Sequence, residues 1–159
     1  MSAFKFLGNH DISPLSDFWQ LGDHQQEIPA SPGVYFLVAK PGIRFMYPKG
    51  MSAIYYIGQA RSLRRRLLEH LNFSMHVRED KRSVTYPVYW PRYEYAGKFG
   101  GRYCFMRTWQ GCTPKALEEI VLARFAEQYR AFPVGNAAGS WNRIELALTP
   151  GIGRKSADV

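Results

Sequence analysis

The sequence predicts an α+β domain, on three observations. Residues 34–39 (VYFLVA), 53–57 (AIYYI) and 102–109 (RYCFMRTW) are short runs rich in β-branched and aromatic residues, the signature of strands. Two longer segments, one starting after Ser62 and one running from Pro114 to about Arg130, carry bulky apolar residues at helical spacing. These elements are interspersed along 159 residues, enough for one domain with a real core and little room for a second.

Residues 1–32 read as an N-terminal extension packed on the core. Ser13 and Pro14 look like a helix start, N-cap then first helical residue, with Leu15, Phe18, Trp19 and Leu21 giving a short apolar face. His10 and His24 stand in polar surroundings without metal-ligand neighbours, so both are expected at the surface. Pro29 and Pro32 lead into Gly33 and the first strand. Residues 41–50 hold two prolines and two glycines, so the strands at 34–39 and 53–57 make an antiparallel pair with a long connection. Lys40, Arg44 and Lys49 make that connection basic, open either to phosphate contact or to plain solvation.

The second strand stops at Gly58, and Ser62 caps the helix that follows. Arg64, Arg65 and Arg66 crowd its first turns, where the macrodipole already places about half a positive charge. Such crowding is disfavoured unless an anion is near, and helix-start N–H groups are themselves an anion site. Three solvated arginines are the other reading. At about 100° per residue, Leu63, Leu67 and Leu71 form the buried stripe and Glu69 points away from it. Arg66 and His70, four apart, stack beside the leucines. A lone histidine there is more often structural. With Tyr55 and Tyr56 on the adjoining strand, the set looks like a phosphate-handling site.

Residues 73–110 interleave basic and aromatic side chains: His76, Arg78, Lys81, Arg82, Tyr86, Tyr89, Trp90, Arg92, Tyr93, Tyr95, Lys98, Phe99, Arg102 and Tyr103. About half of these aromatics are expected in the core, and the rest suit a surface that tracks phosphates and stacks on bases. Gly97, Gly100 and Gly101 around Lys98 suggest a mobile, close-approach loop. Thr113 then caps the later helix, with Pro114 in its first position. Leu117, Val121, Leu122, Phe125 and Tyr129 share one face, and Glu118 falls within that arc while Glu119 and Glu127 fall outside. A carboxylate on an apolar face is costly unless paired or metal-bound, whereas Glu119 suits the dipole at the helix start. Beyond Asn136, residues 141–148 read as a last strand or helix turn. Residues 151–159 form a polar tail whose Arg154 and Lys155 are free to meet phosphate.

Net charge is +8, and between Arg61 and Gln110 there are 11 Lys and Arg against 4 Asp and Glu, so nearly all the surplus lies in that third of the chain. A polyanionic partner explains the asymmetry better than solubility does, and no long basic amphipathic helix points to a membrane surface. Cys104 and Cys112 form no zinc set and no C-x-x-C pair, reading as reduced thiols. No signal-peptide run and no membrane-length segment appear, so a cytoplasmic location is expected.

Gly33-Val34-Tyr35, then Tyr56-Ile57-Gly58, then Arg66 and His70 resemble the GIY-YIG nuclease family over residues 33–136, with an insertion at about 73–101 and a C-terminal extension at 137–159. The resemblance implies a small mixed or antiparallel three-stranded sheet flanked by helices. It implies a metal-dependent DNA endonuclease leaving 5′-phosphate and 3′-hydroxyl ends, of restriction, defence or structure-selective type, acting as monomer or homodimer on DNA, with RNA left open. Carried over residue by residue, Tyr56, or Tyr35 beside it, orients or deprotonates the attacking water, and Arg66 neutralises the phosphoryl oxygens. His70 orients a tyrosine or relays its proton. Glu118, framed by Leu117, Val121 and Leu122, holds a Mg²⁺ or Mn²⁺ ion. Pro133-Val134-Gly135-Asn136 resembles the family's closing P-x-x-N, with Asn136 lining the site or serving as a plain turn asparagine. Gly58, Arg61, Arg64, Arg65, Lys98 and Arg102 are the expected nucleic-acid contacts. The competing reading is a nucleic-acid-binding module that keeps the scaffold without the chemistry.

Overall fold

The computed structural model describes residues 2–79 and 90–136. Lys81, Arg82, Tyr86 and Tyr89 of the insertion, and residues 141–148, Arg154 and Lys155 of the C-terminal extension, lie outside the described residues. The architecture is α+β: an antiparallel sheet with helices on both faces. In chain order come β1 (Ser16–Asp17), β2 (Gly33–Ala39), β3 (Phe45–Tyr47), β4 (Gly50–Ser52), β5 (Ile54–Ala60), α1 (Leu63–Arg78), α2 (Trp90–Phe99), β6 (Gly100–Arg107) and α3 (Pro114–Tyr129). The main sheet runs β1-β6-β2-β5, so it has four strands where three were expected.

The fourth strand comes from the leader. Ser13 and Pro14 do not start a helix there. The Ser13 N–H donates to the Phe105 carbonyl at 3.0 Å, and the Phe105 N–H donates to Ser13 Oγ at 3.0 Å. Ser16 and Asp17 continue that pairing opposite Tyr103 and Arg102. The open edge of β6 outcompetes a short local helix, because edge N–H and C=O groups need partners and a helix this short is marginal by itself. Phe18 and Leu21 are buried as expected. The connection between β2 and β5 folds back into its own hairpin, β3 with β4.

Every residue of β2 is buried, because both faces of the sheet are covered. Val34, Phe36 and Val38 pack with Leu117, Val121 and Phe125 of α3. Tyr35, Leu37 and Ala39 face the opposite way, toward Leu63, Leu67 and Leu71 of α1. A register shift between Leu37 and Val38 leaves Tyr55 as an extra residue in β5. Tyr55 and Tyr56 therefore both join the α1 side instead of alternating.

Both capped helices form as predicted. Ser62 Oγ accepts the Arg65 N–H at 3.4 Å and Thr113 Oγ1 accepts the Ala116 N–H at 3.1 Å. The glycine-rich stretch differs from expectation, since Gly97 and Lys98 belong to a regular helix, α2. A β-carbon at Gly97 would lie 3.0 Å from Val77 Cγ1, so this glycine lets α2 pack closely on α1. Tyr93 and Tyr103 are buried, and Tyr95 and Phe99 pack against the same core. These aromatics build the fold and do not form an exposed stacking surface. Cys104 and Cys112 are both free thiols. Among the described residues no helix is long and apolar enough to cross a membrane.

Candidate active site

Antiparallel register places Tyr35 opposite Gly58, beside the strand position of Tyr56. A β-carbon at Gly58 would lie 2.5 Å from Tyr35 Oη and 2.7 Å from Tyr56 Cε1. The glycine's first consequence is thus to admit two phenol rings, which pack at 5.9 Å between centroids. Leu63, Leu67 and Leu71 dock α1 on this face, and the helical period then brings His70 and Arg66 to the phenols. His70 has no exposure, and its ring lies 5.2 Å from both tyrosine rings.

His70 Nε2 and Tyr35 Oη are 2.6 Å apart, whereas Nδ1 is buried without a hydrogen-bond partner. A buried orphan N–H is rarer in proteins than an unpaired acceptor. The favoured tautomer therefore carries its proton on Nε2 and donates it to Tyr35 Oη. Burial first, then the charges of Arg66 and Arg92, hold the His70 pKa well below 6.5, so the imidazole is neutral. Its donation leaves the Tyr35 hydroxyl proton for Tyr56, which is within hydrogen-bonding reach. A line of donors thus runs outward from α1 and ends on the Tyr56 oxygen.

Burial raises the pKa of both phenols, most strongly Tyr35. The proximity of Tyr56 raises Tyr35 further, while Arg66 and Arg92 pull back toward the phenolate. For Tyr56, Arg92, the Tyr35 hydrogen bond and Arg66 oppose burial, and the charge of Glu118 adds to it. Arg66 is partly exposed and its Nη1 donates to Glu69 Oε1 at 3.2 Å. Burial disfavours its charge, but Tyr35, Glu69 and Tyr56 outweigh that, and the guanidinium stays ionised. Glu69, pointing away from the leucine stripe, thus pairs with Arg66 one helical turn before it.

The electrostatic effect on Tyr56 distinguishes the two glutamates. Glu118, half-buried next to the core residue Leu117, acts on Tyr56, while Glu119 is exposed. Asn136 lies beside the site with its side chain on the backbone. Its Nδ2 donates to the Ile57 carbonyl at 2.9 Å and its Oδ1 accepts the Ile57 N–H at 3.2 Å. It clamps the outer edge of β5 between Tyr56 and Gly58.

A cleft of about 360 Å³ opens at the start of α1, lined by Gln59, Arg61, Ser62, Arg65, Arg66 and Glu69. Arg61 and Arg65 are exposed at its rim. Arg64 is not part of it, since its Nε donates to the Ile28 carbonyl at 2.8 Å and ties α1 to the leader. Lys98 and Arg102 line a different cleft, around the start of β6.

One contributor escaped the sequence. Arg92 is buried, with its Cζ 4.8 Å from the centroid of the Tyr56 ring, a cation–π contact. Tyr93 follows it and packs on His70 at 5.3 Å. The missed signal was a cation in the first turn of α2, where the dipole disfavours one. That argument applies to Arg64–Arg66 and equally to Arg92, once residues 90–99 are read as a helix.

Buried Tyr35, His70 and Tyr56, with Arg66 and Glu118 nearer solvent, make a layered set of proton donors, one cation and one carboxylate. Such a set can neutralise a phosphoryl group and position a water next to it. No family model matches the chain, and it has no significant match among curated proteins or among solved structures.

Proposed function

We propose that this protein is a metal-dependent DNA endonuclease of the GIY-YIG type, hydrolysing phosphodiester bonds to 5′-phosphate and 3′-hydroxyl ends. The observation that carries this reading is the convergence of Tyr35 (β2), Arg66 and His70 (α1) and Glu118 (α3) on the Tyr56 phenol (β5). In this reading Arg66 donates its planar N–H fork to the phosphoryl oxygens, in competition with Glu69. Tyr56, as phenolate, takes a proton from the attacking water. Tyr35 and His70 hold that phenolate by donating toward it.

Glu118 fits a divalent ion. It is a half-buried carboxylate whose charge acts on the Tyr56 phenol, a lone carboxylate, since among the described residues no group of three or more His, Cys, Asp or Glu gathers. One carboxylate suits a Mg²⁺ or Mn²⁺ that keeps most of its water. When bound there, the ion supplies charge neutralisation and acidifies a coordinated water.

The test is nicking of supercoiled plasmid, single-stranded and branched DNA in Mg²⁺ or Mn²⁺, with Glu118→Ala beside the native chain. The expected result is cleavage by the native chain, a fall of at least about 100-fold in the variant, and DNA affinity little changed. Binding without cleavage of any of these DNAs by the native chain would leave only the non-catalytic module.

A further inference from the structure

We propose a second phosphate-binding site, at the opposite end of β2 from the phenol cluster, that grips the backbone of the same duplex; it rests on the nucleic-acid reading above. A cleft of about 530 Å³ opens where β1, the residues after β2 and the start of β6 meet the ends of α1 and α2. Its wall carries four cations, Lys40, Arg78, Lys98 and Arg102, against one carboxylate, Asp17. Among the described residues no carboxylate pairs with Lys40, Arg78 or Arg102. Lys98 has only an exposed contact with Glu94 at 3.8 Å. Gathering unpaired cations in one concavity is unfavourable without a polyanion to meet them.

Several of these groups are held in place. The Arg78 Cζ stands 4.7 Å from the centroid of the Trp19 ring, which fixes the guanidinium at the rim. Trp19 is in turn anchored by its Nε1–H, which donates to the Gly100 carbonyl at 3.3 Å. Arg102 Nη2 donates to the Ala39 carbonyl at 3.3 Å, and its Nε–H is buried with no acceptor. A β-carbon at Gly101 would lie 2.5 Å from Lys40 Cα, so this glycine lets Lys40 sit against β6 next to Arg102. Two positioned guanidiniums and two exposed ammonium groups match the oxygens of a phosphate backbone.

The occupant is nucleic acid rather than a lipid surface, because the large apolar side chains that line the cleft, Leu15 and Trp19, are half-buried and leave no exposed anchor to insert. Among the described residues the exposed large apolar side chains, Met46, Met51, Met75, Trp109 and Ile120, do not line this cleft. From Tyr35 to Lys40 the chain advances five residues, ~17 Å at strand rise. That is about five base-pair steps of a duplex, a spacing that lets one DNA molecule meet both sites.

Fluorescence anisotropy of the full chain on a labelled 30-base-pair duplex in EDTA, titrated with salt, tests this. In Lys40→Ala/Lys98→Ala the slope of log affinity against log salt should become shallower by about two, near 0.9 for each lost phosphate contact. Asp17→Asn keeps the oxygen that accepts the Trp19 N–H at 2.8 Å and removes the opposing charge, so it should tighten binding about twofold. An unchanged slope in the double variant, or no tightening in Asp17→Asn, overturns the site. So does a double variant that loses binding to phosphatidylserine vesicles while keeping that to DNA. Should the double variant fail to melt cooperatively, Asp17→Asn decides alone. Binding is scored without cleavage, so a chain that binds but does not cut sinks the nuclease and leaves this site standing.

Discussion

Gly58 is where backbone chemistry and site chemistry meet at the scale of single residues. Gly58→Ala must push the Tyr35 ring off its present position, because the added carbon would lie 2.6 Å from Tyr35 Cζ. Overpacking of this kind costs about 1–3 kcal/mol. The expected outcome is a lower melting temperature, with a loss of cleavage larger than any loss of DNA affinity. Tyr56 gives a second expectation. Its pKa is raised by burial, so the phenolate is a minor species at neutral pH and grows tenfold per pH unit. The single-turnover cleavage rate should rise with a log slope of about one between pH 6 and 8, and a flat profile would remove Tyr56 as the base. His70 gives a third. Its folded pKa lies well below 6.5, so below that pH the unfolded chain binds the proton and the native fold does not. Stability is complete above about pH 6.5 and falls on acidification toward the folded pKa. His70→Phe should flatten that acid-side decline in melting temperature.

At the scale of elements, β5 is an edge strand, and Asn136 clamps its outer side through both backbone groups of Ile57. Gly135 N–H adds a bond to the Tyr55 carbonyl at 2.6 Å. Asn136→Ala leaves those Ile57 groups without their side-chain partner, a cost of about 1–3 kcal/mol. Faster hydrogen exchange at the Ile57 amide should report it, and Tyr56 should lose its fixed position as the edge loosens. Helix identity divided along the same line. Ser62 and Thr113 announced α1 and α3 because capping is a local interaction, complete within three residues. Nothing so local marks α2, whose glycine at 97 reads as a breaker until Val77 of α1 is seen against it. Leader residues 13–17 carry a proline-start signal, yet they pair with β6, a partner about 90 residues away.

Across the whole molecule, aromatic residues make up 15% of the chain, and much of the phenol chemistry is internal. Tyr35, Tyr47, Tyr55 and Tyr56 all have pKa values raised above 10.0 by burial. They ionise more readily unfolded than folded, so the native state loses stability as pH rises past about 10. Alkaline absorbance titration should show a cooperative step for these buried tyrosines, coincident with loss of circular dichroism. A smooth titration of every tyrosine before unfolding would contradict the packing. Sequence alone determined the β2 and β5 runs, the caps and stripes of α1 and α3, the basic character, and the pairing of Tyr56, Arg66 and His70 as a unit, because each depends on neighbours within a few residues. Only the tertiary structure decided that the sheet has a fourth strand, that Arg92 stands over Tyr56, and that Lys98 and Arg102 belong to a separate basic cleft. Those outcomes follow from edge pairing, burial and charge proximity between segments far apart in the chain, whose energies exist only once the segments meet.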